Sequence, residues 1–182
     1  CNHKYIYVDN SINEEQQSSD TADIFLNIID ELNISLERLI LPSAVACVYN
    51  PTIYARHTLD MYVRKYCNSK KPIMYFGMNP GPWGMSQTGV SYTFLSIGKR
   101  FWGLWQEICG TPDNFFSTSF VYNYIPQQWM KNNGCNLTPG DFRVLYMPHP
   151  SPRTVNNNNW NEKALECLKS HELLQYYTHH TT

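Results

Sequence analysis

The stretch "PIMYFGMNPGPWGMSQTG" (residues 72–89) changes abruptly from an apolar run to a loop rich in glycine and proline. The apolar run is short and follows two lysines, which is the pattern of a buried parallel strand. The loop after it holds four glycines, two prolines and Asn79. In open α/β sheets ligands bind beyond the carboxyl ends of the strands. This junction therefore indicates both a fold class and the position of a ligand site.

Two further runs are predicted to be strands of the same sheet. Residues 119–126, "SFVYNYIP", are aromatic and β-branched and end in proline, and residues 143–148, "RVLYMP", end in the same way. A short extended segment is predicted at residues 44–51. Apolar residues at helical spacing predict helices over residues 20–41, 59–67, 101–109 and 161–174. Strands that alternate with helices indicate an α/β fold with a parallel sheet.

The size and charge of the chain suit a single globular domain. It has 182 residues and 42% hydrophobic residues, enough for a sizeable core. Residues 1–40 carry a net charge of −6, whereas residues 41–182 carry +5. We therefore expect a flexible acidic leader at residues 1–19, one domain at residues 20–176 and a tail at residues 177–182. A basic body is compatible with a polyanionic partner.

Several classes of protein are disfavoured by what the sequence lacks. No apolar run approaches the length of a membrane span, so we expect no membrane contact. The six cysteines are scattered without a C-x-x-C pair, which argues against a zinc or iron–sulfur site and suits reduced thiols in an intracellular protein. The glycine-rich loop lacks the lysine of a P-loop, and no G-x-S-x-G or close carboxylate pair follows a predicted strand.

Each predicted strand instead ends in a neutral polar side chain. Asn79 follows the first strand, Asn123 lies within the second, and His149 follows the third. Taken singly, Asn79 fits an ordinary turn residue and His149 a structural histidine. Asn123 is harder to explain in that way, because a buried amide without partners costs about 1–3 kcal/mol. Together the three predict a site that binds a flat polar ring and stabilises charge that develops on it.

The motifs "GMNPGPWGMSQTGV", "FVYNYIP", "NLTP" and "HPSPR", in this order, resemble those of the single-strand-selective monofunctional uracil-DNA glycosylases. The resemblance covers most of residues 40–93, 101–142 and 144–176. It implies the three-layer α/β fold of the uracil-DNA glycosylase superfamily, with a short central parallel sheet flanked by helices. It also implies excision of uracil and related pyrimidine lesions from DNA, in base-excision repair, without a cofactor or metal.

The resemblance also implies roles for particular residues. Asn79 would position the attacking water, and His149 would hold the uracil oxygen as the base leaves with negative charge. The backbone at Gly77, Met78 and Gly81 would close round the base and the water. Tyr92 falls where the family carries an aromatic that stacks on uracil, and the amide of Asn123 would read the edge of the base.

The remaining implied contacts are with the DNA itself. The four residues after His149 would enter the duplex and replace the flipped base; they are Pro150, Ser151, Pro152 and Arg153. The expected partners are single- and double-stranded DNA that contain uracil. A monomer located in the nucleus is the expectation for the whole protein.

The chain is shorter than the family in two places. "SYTFLSIGK" (residues 91–99) runs almost directly into the helix at 101–109, with Ser91 and Thr93 in place of a proline and a glycine. Family members also carry a helix and a further central strand between "NLTP" and "HPSPR", where this chain has only four residues between Pro139 and Val144. Either "RVLYMP" takes the place of that strand, or the sheet has a gap and the protein is an inactive relative.

Overall fold

The computed structural model describes residues 3–9, 18–77, 84–90, 96–123, 142–150 and 157–177. In this part of the chain the strands are β1 (His3–Asp9), β2 (Ile73–Gly77), β3 (Ser119–Asn123) and β4 (Phe142–Pro148). The helices are α1 (Ser18–Glu37), α2 (Pro51–Tyr54), α3 (Arg56–Tyr66), α4 (Met85–Thr88), α5 (Ser96–Cys109), α6 (Pro112–Thr118) and α7 (Trp160–Ser170). A 3₁₀ turn at Leu173–Tyr176 follows α7.

The strands form one sheet in the order β3-β2-β1-β4. β2 and β3 pair in parallel, with Gly77 beside Asn123 at their carboxyl ends. β1 is antiparallel to both β2 and β4, so β4 runs in the same direction as β2. A short parallel pair flanked by helices confirms the predicted α/β class.

The strand between β2 and β4 comes from the amino-terminal segment. Because the acidic composition of residues 1–19 dominated our expectation, we predicted a flexible leader there. That prediction is wrong for His3–Asp9, which pairs on both sides within the sheet. The sequence "HKYIYVD" did carry a strand signal, since tyrosine, isoleucine and valine favour strands. The division of the chain into domains stays a prediction.

This strand also answers the question raised by the short link before β4. β4 does not pair with β2, so it does not take the place of a central strand next to β2. The sheet has no gap either, because β1 lies between them and hydrogen-bonds with both. Neither arrangement that the sequence suggested is found in the described residues.

One face of the sheet packs against α1 and α3. Phe25 of α1 meets the rings of Phe120 and Tyr122 edge to face, at centroid distances of 5.3 and 5.0 Å. Tyr62 of α3 packs on Phe120 and donates its hydroxyl to the carbonyl oxygen of Val121 at 2.7 Å. These aromatic contacts fix the two helices against β3 through both apolar burial and a buried hydrogen bond.

The opposite face packs against α5, α6 and the 3₁₀ turn. Tyr75 of β2 lies within 6.3 Å of the rings of Phe101, Trp105 and Phe115. Its hydroxyl is 2.8 Å from that of Tyr177, which also hydrogen-bonds with Ser119. Burial raises the pKa of the Tyr75 phenol, so this chain of hydroxyls stays neutral in the core.

The observed elements differ from the predicted ones at their ends. α1 ends at Glu37, before Pro42, and residues 44–50 form no strand. α6 was not predicted; it begins after Thr111, whose side chain accepts a hydrogen bond from the amide of Asn114. Among the described helices, none has the length and apolar character that crossing a membrane requires.

Candidate functional site

The carboxyl ends of β2, β3 and β4 lie along one edge of the sheet. Tyr5 of β1 is in register with Phe76 on one side and Tyr146 on the other. Phe76 and Tyr146 are therefore two strand spacings apart, roughly 10 Å, and the chain leaves β2 and β4 at nearly the same level. This places the segment that carries His149 across one intervening strand from the end of β2.

The β2–β3 side of this edge brings together two of the predicted site residues. Gly77, the last residue of β2, is buried and lies directly beside Asn123, the last residue of β3. The backbones of neighbouring strands are about 4.8 Å apart, and Asn123 is half-buried. Four other predicted residues of this side lie outside the described residues: Met78, Asn79, Gly81 and Tyr92.

The far end of the glycine-rich stretch is fastened to α2. Helix α4 is followed directly by Gly89, its C-cap, which has a left-handed φ of 74°. A Cβ at Gly89 would lie 2.8 Å from the Cβ of Ala55 and 2.9 Å from its carbonyl oxygen, so only glycine fits without a shift. The hydroxyl of Tyr54 donates to the carbonyl of Ser86. The loop therefore begins at the sheet and ends against a helix, with both ends fixed.

The β4 side of the edge holds His149 through its backbone. The indole Nε1 of Trp160 donates to the carbonyl oxygen of Pro148 at 2.8 Å. The side-chain Nδ2 of Asn157 donates to the carbonyl oxygen of His149 at 2.7 Å. His149 is half-buried and Pro150 is buried, whereas Ser151, Pro152 and Arg153 lie outside the described residues.

Sequence reasoning missed these supporting residues. The run "NNNN" (residues 156–159) has the composition of a plain polar loop, yet Asn157 is only 4% exposed while Asn158 and Asn159 are exposed. Arg100 of α5 donates from Nη1 to the backbone carbonyl of Asn157 at 3.1 Å. The only available signal was the closeness in sequence of four asparagines to His149 and Trp160.

The chemistry of the described part of the site is that of neutral hydrogen-bonding groups. An amide offers a donor and an acceptor side by side, and an imidazole can hold an anionic oxygen. Within the ranges that the structure describes, no three histidine, cysteine or acidic residues are grouped so as to hold a metal ion. The arrangement suits recognition of a flat heterocycle and stabilisation of negative charge on it.

The chain is similar to three curated mammalian proteins named as single-strand selective monofunctional uracil-DNA glycosylases. It is 33% identical to the one from Rattus norvegicus and 32% identical to those from Mus musculus and Bos taurus, each over 154 residues. The alignments cover 66% of this chain. No protein-family model matches the chain.

The alignments cover only part of this chain and only part of each relative. The chain spans little more than half of the relatives, 55% of the rat and mouse proteins and 57% of the bovine one. Because 66% of 182 residues is about 120, the 154 aligned positions include about 34 at which this chain has no residue. The protein is therefore internally shorter than its relatives, as its short links between motifs indicated.

Proposed function

Because this chain is a relative of the single-strand-selective monofunctional uracil-DNA glycosylases, we propose that it removes uracil from DNA by hydrolysis of the N-glycosidic bond. The observation that carries the proposal is the shared edge of the sheet. There Asn123 stands beside Gly77, and the His149 segment lies across one strand from them. The similarity to named glycosylases indicates the reaction, and the edge of the sheet carries hydrogen-bonding groups that suit it.

The proposed mechanism needs the base to leave the duplex. The target nucleotide flips out of the stack into the space between the ends of β2 and β4. The amide of Asn123 then pairs with the edge of uracil, which has one donor and two acceptors in alternation. Gly77 lets the backbone approach the base closely because it has no side chain.

The bond to the sugar then breaks as negative charge moves onto uracil. We assign His149 to donate a hydrogen bond to the uracil oxygen on which that charge grows, and Asn79 to hold the water that attacks the sugar. Removing one such donor typically costs about 100- to 1000-fold in rate. No amine nucleophile takes part, so the product is an abasic site on an uncut strand.

The direct test is excision from a single-stranded oligonucleotide that carries one uracil. After incubation with the protein, hot alkali should cut the strand at the abasic site, and omission of alkali should leave it whole. A thymine oligonucleotide of the same sequence is the control. The double substitution Asn79→Ala with His149→Leu should abolish the product. Equal product from this variant, or none from the natural protein, would contradict the proposal.

A second candidate is a relative that binds DNA without cleaving it, or that folds poorly. The observation in its favour is the length, since the chain spans only about half of the curated relatives. A circular dichroism melt separates a cooperative fold from an unstable chain, and fluorescence anisotropy with the uracil oligonucleotide measures binding without excision.

The primary proposal also includes three further expectations: double-stranded uracil DNA as a second substrate, action as a monomer, and residence in the nucleus.

A further inference from the structure

We propose that Asn157 is a positioning residue that aims the imidazole of His149. Asn157 does not touch the base in this scheme; it acts through the backbone of His149. The inference rests on the proposed function for the identity of the group that His149 contacts. The positioning itself concerns only described residues of this chain.

Both peptide planes that flank His149 are held by side chains. The carbonyl of Pro148 belongs to the peptide plane before His149, and Trp160 donates to it at 2.8 Å. The carbonyl of His149 belongs to the plane after it, and Asn157 donates to that oxygen at 2.7 Å. Because φ and ψ of a residue are the rotations between its two planes, fixing both planes fixes the direction of its Cα–Cβ bond.

The residues that make these bonds are themselves immobilised by burial. Asn157 is 4% exposed and Trp160 is 1% exposed. Loss of this acceptor while the amide stays buried would be unfavourable, so the bond to His149 persists in the folded protein. Pro150 adds a further restriction, because a following proline disfavours the α-helical region for His149.

Arg100 connects this arrangement to the rest of the fold. Its guanidinium donates to the backbone carbonyl of Asn157 at 3.1 Å, from a helix that packs its aromatic residues on the sheet. Asn157 thus receives a bond from α5 on its backbone and gives one to the end of β4 from its side chain. The strand end, α5 and the start of α7 meet at this one residue.

The two asparagines that follow Asn157 do not share its buried environment. Asn158 is exposed, and the exposed Asn159, which immediately precedes α7, donates from its side-chain Nδ2 to Glu162 of α7 at 3.3 Å. Substitution of Asn158 therefore supplies a surface control of the same chemistry. Asn33 supplies a buried control, since its side-chain amide oxygen accepts hydrogen bonds from Asn50 and Thr52, which lie 17 and 19 residues further along the chain.

The first measurement is single-turnover excision of uracil by Asn157→Ala, Asn33→Ala and Asn158→Ala. We expect Asn157→Ala to lower the rate constant about 10- to 100-fold, because small displacements of a catalytic group carry penalties of this size. Its affinity for an oligonucleotide with 2′-fluoro-2′-deoxyuridine, which resists cleavage, should change less than about threefold. Both controls should keep the natural rate per folded molecule.

The second measurement needs no activity. The ring ¹³Cε1 and ¹⁵N resonances of His149, assigned with His149→Leu, report its imidazole environment in the protein alone. Asn157→Ala should shift or broaden them, and the two controls should leave them unchanged. Trp160→Phe keeps a buried ring but removes the Nε1 donor. It should act in the same direction and serves if Asn157→Ala does not fold.

The outcomes separate this inference from the proposed function. If the natural protein does not excise uracil, the proposed function fails, and the His149 resonances alone decide whether Asn157 positions that residue. Excision by Asn157→Ala at the natural rate, or unshifted His149 resonances in both Asn157→Ala and Trp160→Phe, would overturn the inference. An equal loss of rate in Asn33→Ala would also overturn it, because the effect would then be one of general destabilisation.

Discussion

Gly89 and Gly103 illustrate how the same residue type has different meanings at different positions. Gly89 caps α4 with a positive φ, and a Cβ added there would meet Ala55, whereas a Cβ at Gly103 would meet nothing within 4 Å. Gly103 lies inside α5, where glycine lowers helix stability relative to alanine. The first glycine is thus required by the fold and the second is not.

We expect Gly89→Ala to destabilise the protein by about 1–3 kcal/mol, because the new Cβ meets Ala55 and the backbone is left-handed. Gly103→Ala should be neutral or stabilising by up to about 1 kcal/mol. Urea denaturation followed by circular dichroism measures both free energies of unfolding. Equal changes in the two variants would show that the close approach of Gly89 to Ala55 does not matter.

The cysteines should differ in reactivity according to their burial. Burial raises the pKa of the Cys67 thiol to about 11, and that of Cys109 also to about 11, whereas Cys47 is exposed. The thiolate is the reactive form, so iodoacetamide at pH 8 should alkylate Cys47 at least about 100-fold faster than Cys67. Peptide mapping by mass spectrometry follows each site. Comparable rates in the folded protein would contradict the burial of Cys67.

At the scale of elements, α1 and α3 are joined by charges as well as by their apolar faces. Arg56 forms a bidentate pair with Asp30 of α1 and hydrogen-bonds with Asp60 one turn along α3. The hydrogen bonds from Arg56 hold the pKa of the Asp30 carboxyl below its usual value. The groups are partly exposed, so this pair contributes only about 0.2–1 kcal/mol.

Asp30→Asn should therefore lower the free energy of unfolding by up to about 1 kcal/mol at pH 7. Because the folded pKa of Asp30 is depressed, its contribution is present above the unfolded pKa near 3.9 and is lost as pH falls through the folded pKa. The difference between the two proteins should shrink below about pH 4. Asp23→Asn, which removes a more exposed pair with Arg64, is the comparison. A difference that stays constant from pH 7 to pH 3 would rule out this ionic contribution.

At the scale of the whole molecule, β1 joins the two halves of the candidate site. It hydrogen-bonds with β2 on one side and with β4 on the other, so the β2–β3 half and the β4 half share a sheet only through it. Proline in a central strand removes a ladder hydrogen bond and fixes φ. A single substitution in β1 can therefore test whether the sheet is continuous.

We expect Ile6→Pro to destabilise the protein by about 3 kcal/mol or more, and to abolish a single cooperative melt. Ile6→Val, which keeps the backbone donor and the strand preference, is the matched control. Differential scanning calorimetry distinguishes one transition from two or from none. An unchanged transition in Ile6→Pro would mean that residues 3–9 do not pair in the sheet in solution.

Much of the fold could be predicted because its strongest signals are local. The strands at Ile73–Gly77, Ser119–Asn123 and Phe142–Pro148 lie in apolar runs that the sequence closes with Gly77, Pro126 and Pro148. Helices α3 and α7 have clear helical spacing. β1 was missed because the acidic composition of the surrounding residues 1–19 outweighed the strand signal of "HKYIYVD". Only pairing with two distant strands stabilises it.

The α/β class and the polar residues at the strand ends could be predicted from the sequence, because periodicity, turn residues and motifs depend on neighbouring positions. The predicted roles of Asn79 and Tyr92 depend on sequence alone. The folded chain was needed to show that β1 lies between β2 and β4, and that Asn157, Trp160 and Arg100 hold the backbone near His149. These contacts join residues far apart in the chain or depend on which asparagine is buried, and neither property can be read from local patterns.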